Sequence, residues 1–99
     1  MNVKIHSIKF DADSRLLAFI QKKLNKLDQF FDRIVDGEVF LKLNNEGVDN
    51  KTVEIKINLP GQQFFAGSSA RTFEQAVEES VKVLKRKVRK HKEKLVTHG

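Results

Sequence analysis

The chain has 99 residues, the size of one small domain. It contains no cysteine, which excludes a disulfide scaffold, a thiol nucleophile and a cysteine-ligated zinc site. The 39% apolar content, including eight Phe, suffices for a single core, and the formal net charge of +6 turns attention to acidic partners.

Asn2 to His6 alternates polar and apolar residues, with Val3 and Ile5 on one side, and reads as a short first strand. It lacks the run of about 7–15 apolar residues that a signal peptide needs. No stretch approaches the ~20 apolar residues of a membrane span. A soluble, cytoplasmic protein is expected, and the absence of cysteine fits a reducing compartment.

The chain turns at Asp11-Ala12-Asp13-Ser14, where Asp13 or Ser14 can cap a helix by accepting from a free N–H. Leu16, Leu17, Ile20, Leu24, Leu27 and Phe31 then recur at three- and four-residue steps. That spacing predicts a helix of about 18–20 residues, ending near Asp32-Arg33. Arg15, Lys22 and Lys26 fall on its opposite face, with Lys23 at its side.

Three strands follow. Val39, Leu41 and Leu43 alternate with Glu38, Lys42 and Asn44, and a polar turn occupies Asn45 to Asn50. Val53, Ile55, Ile57 and Leu59 then face one way, and Thr52, Glu54, Lys56 and Asn58 the other. This strict alternation predicts antiparallel sheet with one buried and one wet face. Pro60-Gly61 supplies a tight turn before a last strand from Gln63 to Ala70. The small residues Ala66 to Ala70 form strands weakly and point to an edge or a close approach.

A second helix starts near Thr72, with Phe73, Val77, Val81, Leu84 and Val88 inward. It is expected to reach about Leu95, leaving Thr97-His98-Gly99 frayed. The order β-α-β-β-β-α implies an α+β, two-layer sandwich: a four-stranded sheet with both helices packed on one face.

Charge is concentrated in this second helix. Residues 82–94 hold eight basic side chains and one acid, a net +7, so the other 86 residues sum to −1. Lys82, Arg86, Arg89 and Lys90 point away from the apolar stripe. Lys85 and Lys92 flank one side, and Lys87 and Lys94 the other. Glu74, Glu78 and Glu79 occupy the first half, so the charge order also suits the helix dipole. Dipole matching fades within one turn, however, and like charges at Lys82/Arg86 and Arg86/Lys90 repel. A half-cylinder of cations therefore points to phosphate. If both helices share one sheet face, Arg15, Lys22, Lys23 and Lys26 can join it. A membrane surface is the weaker rival, because the apolar stripe is needed for the core.

Catalytic chemistry finds no support. His91 and His98 lack carboxylates at ligand spacing, and Asp11 and Asp13 sit where a helix is capped. Ser68-Ser69 has no base in view, and Gly61 and Gly67 form no phosphate-binding pattern. No metal, cofactor or enzymatic activity is expected. Phe30, Phe31, Phe40, Phe64 and Phe65 can stack on bases, but core packing is the simpler role, with one of each adjacent pair exposed.

Lys26 to Ile34 reads Lys-Leu-Asp-Gln-Phe-Phe-Asp-Arg-Ile, and the second helix carries Leu84, Arg86 and then Lys90-His91-Lys92-Glu93-Lys94-Leu95. On these stretches the whole chain resembles the short ribosome hibernation-promoting factors, also called ribosome-associated inhibitor or sigma-54 modulation proteins. The resemblance implies a fold similar to the double-stranded RNA-binding domain. It implies binding to 16S rRNA of the small (30S) ribosomal subunit, in the mRNA and tRNA channel, and translation blocked by occupancy in stationary phase or starvation. It carries over Lys23 and Lys26 on the first helix and Arg86, Lys90, Lys92 and Lys94 on the second. Lys22, Lys82, Lys85 and Arg89 join the RNA-binding set from their helical positions alone. As further partners it admits 70S or 100S ribosomes with a separate dimerisation factor, and a monomer off the ribosome.

The chain departs from the pattern in places. Where the family often opens the second helix with Asp-x-Tyr, this chain has Arg71-Thr72-Phe73, and a frequent Arg early in the first helix is Leu17. Up to Gly99 nothing corresponds to the dimerisation domain of long members, so ribosome pairing by that route is not expected. A general double-stranded RNA-binding module is the alternative reading, with a small enzyme or sigma-factor regulator the third.

Overall fold

The computed structural model describes residues 1–44 and 46–97, the last three by their backbone. Expectations at Asn45, His98 and Gly99 lie outside the described residues. Six elements follow in order: β1 (Asn2–Ile8), α1 (Ser14–Phe30), β2 (Asp36–Leu43), β3 (Lys51–Leu59), β4 (Gln62–Ala70) and α2 (Phe73–Thr97).

The sheet runs β1-β2-β3-β4 and is mixed. β2, β3 and β4 are antiparallel, but β1 pairs with β2 in parallel, with Ile5 opposite Val39. The antiparallel expectation drawn from β3 holds for its pairing with β2 and β4, and β1 adds a parallel neighbour. The reason is the connection: α1 carries the chain back along the sheet, so β2 re-enters in the direction of β1.

Alternation sets the two faces. Val39, Leu41, Val53, Ile55 and Ile57 are buried with Leu16, Ile20, Leu24 and Leu27 of α1 and Val77, Leu84 and Val88 of α2. Both helices therefore cover one sheet face. Each fully buried aliphatic contributes about 1.5–3 kcal/mol, so this shared cluster is the main source of stability. Ala66 and Ala70 are its small inward residues on edge strand β4, and they let α2 approach that strand closely.

Four inward assignments change. Leu17 and Leu43 are exposed, because α1 tilts only one stripe into the core and β2 ends at Leu43. Ala76 and Ser80 join the α2 stripe, both fully buried. Ser80 is inconspicuous in sequence because a small hydroxyl carries no apolar signal.

Local chemistry explains the helix bounds. Asp13 caps α1, its carboxylate accepting from the Leu16 N–H at 2.8 Å. The helix ends at Phe30, slightly before the expected Asp32-Arg33. Phe31 turns extended, which drives its ring into the core. Gly61 adopts φ +72°, the backbone required after Pro60 in a type II turn.

Candidate nucleic-acid interface

Contacts along α1 and α2 show that the helices run in the same direction. Arg15 and Phe19 share a cleft with Phe73 and Glu74. Lys23 lies 3.5 Å from Glu78. Phe30 meets Lys85, Arg89 and Lys92. Parallel helices place both carbonyl ends together, and both partial negative dipole ends attract cations there. α1 has no basic residue in its own last turn. Lys92 of α2 fills that role, donating to the Phe30 carbonyl at 3.2 Å.

The groove between the helices has a volume of about 290 Å³ and is lined by Lys23, Lys26, Lys82 and Lys85, with Glu78 at one side. Four cations predicted from two distant segments therefore converge. Further along, the half-buried Phe30 ring gathers two more beside Lys85. The Lys92 Nζ lies 4.8 Å from its centroid, the Lys85 Nζ 5.1 Å and the Arg89 guanidinium 6.0 Å. The negative ring face holds these cations at fixed depth without neutralising them. This organising role of Phe30 escapes sequence reasoning. Its only trace is the adjacent Phe30-Phe31 pair, whose members must face different ways.

Arg86 and Lys90 project from the outer face of α2, exposed and without an ion pair to any described residue. Lys22 is exposed on α1, one turn before Lys26 and outside the groove lining. Lys87 and Lys94 lie on the far side of α2, toward β4. Lys87 donates to the Phe65 carbonyl at 2.5 Å, which anchors it to the edge strand. The structure does not bring Arg15 to this surface. It lies at the other end of α1, in a cleft with Asp11, Asp13 and Glu74.

His91 is half-buried rather than a surface group. Its ring meets Phe31 at 6.1 Å and Phe64 at 5.7 Å, both edge to face. On the open sheet face Phe40 stacks on His6 at 5.0 Å. The His6 Nε2 and Lys56 Nζ lie 2.8 and 3.3 Å from the two oxygens of Glu38. Hydrogen bonds from both hold the Glu38 carboxyl below its ordinary range. Among the described residues no cluster of His, Asp or Glu is arranged to hold a metal ion, and no helix is long and apolar enough to cross a membrane.

A mixed four-stranded sheet under two parallel helices, with exposed cations on their outer surface, defines a small α+β protein with a cationic helical face. The chain belongs to the family described as sigma 54 modulation protein / S30EA ribosomal protein, whose profile matches residues 3–96. It is 29% identical over 98 residues to the ribosome hibernation promoting factor of Klebsiella oxytoca, covering 99% of this chain and 98% of that protein. A ribosomal subunit interface protein from Coxiella burnetii shares the fold with a TM-score of 0.84 at 21% identity, over 93% of this chain and 98% of the other. The N-terminal domain of Protein Y from Thermus thermophilus superposes with a TM-score of 0.80 at 23% identity, over 92% and 99%. The family consists of ribosome hibernation factors, which are binding proteins and not enzymes.

Proposed function

We propose that the chain is a cytoplasmic ribosome hibernation factor that binds 16S rRNA of the small subunit in the mRNA and tRNA channel. It blocks translation there by occupancy, in stationary phase or starvation. Residues 1–99 act as one ribosome-binding domain that is monomeric off the ribosome. The observation that carries this reading is the convergence of Lys23, Lys26, Lys82 and Lys85 in one groove, continued by Arg86, Arg89 and Lys90. Side chains at this spacing can follow a phosphate backbone, giving salt-sensitive affinity with little base readout. Lys22 extends the surface. Lys92 lies at its distal end, where it also holds α1 in place, and Lys94 lies on the β4 side of α2.

Co-sedimentation tests the proposal. The chain should pellet with purified small subunits at physiological salt and resist an excess of duplex RNA competitor. Equal partition between subunits and duplex RNA refutes the ribosome preference and leaves a general double-stranded RNA-binding module. Added mRNA and initiator tRNA should displace the protein. Simultaneous binding would remove the channel from the reading.

A further inference from the structure

The far side of α2 holds a second cavity, separated from the helix–helix groove by the width of the helix. It has a volume of about 600 Å³ and lies between the start of β4 and the second half of α2. That volume is within the ~300–1,000 Å³ typical of ligand clefts. It is lined by Phe64, His91, Gln62, Lys87 and Lys90. None of the described residues lining it is acidic.

The chemistry of these walls is not that of a groove for duplex backbone. His91 is wedged between Phe31 and Phe64, and neither ring nitrogen has a hydrogen-bond partner among the described residues. Gln62 is exposed and without a described partner, whereas the Gln63 amide donates to Asn58 at 2.7 Å on the open sheet face, away from α2. Carboxamides with free donors or acceptors can match the hydrogen-bonding edge of a base. Aromatic walls give that base a face to lie against. Lys90, exposed and unpaired, supplies charge for a phosphate at the rim.

We propose that this β4–α2 cavity is a site for an unpaired ribonucleotide, its base against the Phe64–His91 wall and its phosphate at Lys90. The inference deepens the proposed RNA-binding role and rests on it. α2 would then present two different RNA-binding sides: backbone recognition toward α1, and capture of a single unstacked nucleotide toward β4.

Isotope-labelled full-length chain is titrated with the single-stranded adenosine trinucleotide at physiological salt, observed by NMR. The His91 ring and the Gln62 side-chain amide should shift saturably. The variant Gln62→Glu, at an exposed position, should keep the remaining spectrum and bind about tenfold more weakly, because it sets negative charge in a cavity that takes an anionic ligand. Unmoved His91 and Gln62 signals, or shifts that survive the Gln62→Glu variant, overturn the proposal. Sedimentation with small subunits separates the two readings. Pelleting with a silent cavity sinks only the nucleotide site. Failure to pellet with intact, variant-sensitive shifts sinks only the ribosome preference and supports the site.

Discussion

Neutralising Arg86 and Lys90 together, as Arg86→Gln/Lys90→Gln, tests the outer face of α2 directly. Both side chains are exposed, and neither has an ion pair with a described residue. Each is therefore free to displace counterions from RNA. One phosphate contact contributes about 0.9 to the slope of log affinity against log salt for a duplex. Losing two contacts should flatten the slope by ~1.8, so a fourfold rise in salt costs the wild type about 12-fold more affinity than the variant. Equilibrium binding to small subunits between about 50 and about 200 mM monovalent salt, at constant magnesium, reads this difference. Folding should not be destabilised by more than ~0.5 kcal/mol, since neither side chain touches the core. Relief of the Lys82/Arg86 and Arg86/Lys90 repulsion adds about 0.2–0.5 kcal/mol per pair in the stabilising direction. An unchanged slope in a folded variant would show that this face does not meet phosphate.

Other outcomes follow from single contacts. Lys92→Gln should lower stability by about 0.5–1.5 kcal/mol in urea unfolding, because the α1 carbonyl end loses its charged donor; no change would mean that water satisfies Phe30 equally well. Ser80→Ala should leave stability unchanged or raise it by ~1 kcal/mol, since the buried hydroxyl has no partner among the described residues; a clear loss would reveal a partner. Glu38 sets a pH dependence: its carboxyl is held below the ordinary 4.5 by His6 and Lys56, so its contribution is present above that value and fades as pH falls through the lowered folded-state value. Glu38→Gln should flatten the acid limb of stability against pH, and an unchanged acid limb would assign the loss to other carboxylates.

Much of this architecture is legible in the residues themselves. The strict alternation of Val53, Ile55, Ile57 and Leu59 survives intact as the buried face of β3. The stripe Leu16, Ile20, Leu24 and Leu27 is the buried side of α1. Leu43 is the instructive miss. Its period is right, but the strand ends there, so nothing covers it. The parallel pairing of β1 was equally hidden, because alternation reports a covered face and not the direction of the neighbouring strand.

The sequence by itself determined the order of elements, the inward stripes and the outward cations, because each follows from the period of a single element. Only the tertiary structure decided which cations meet. Parallel α1 and α2 bring Lys26 to Lys82 and Lys85 and leave Arg15 among Asp11, Asp13 and Glu74. The same packing makes Lys92 the cap of another helix and opens the cavity beside His91. Such relations depend on the relative direction and rotation of whole elements. The long-range packing of the shared core sets both, and no local pattern encodes either.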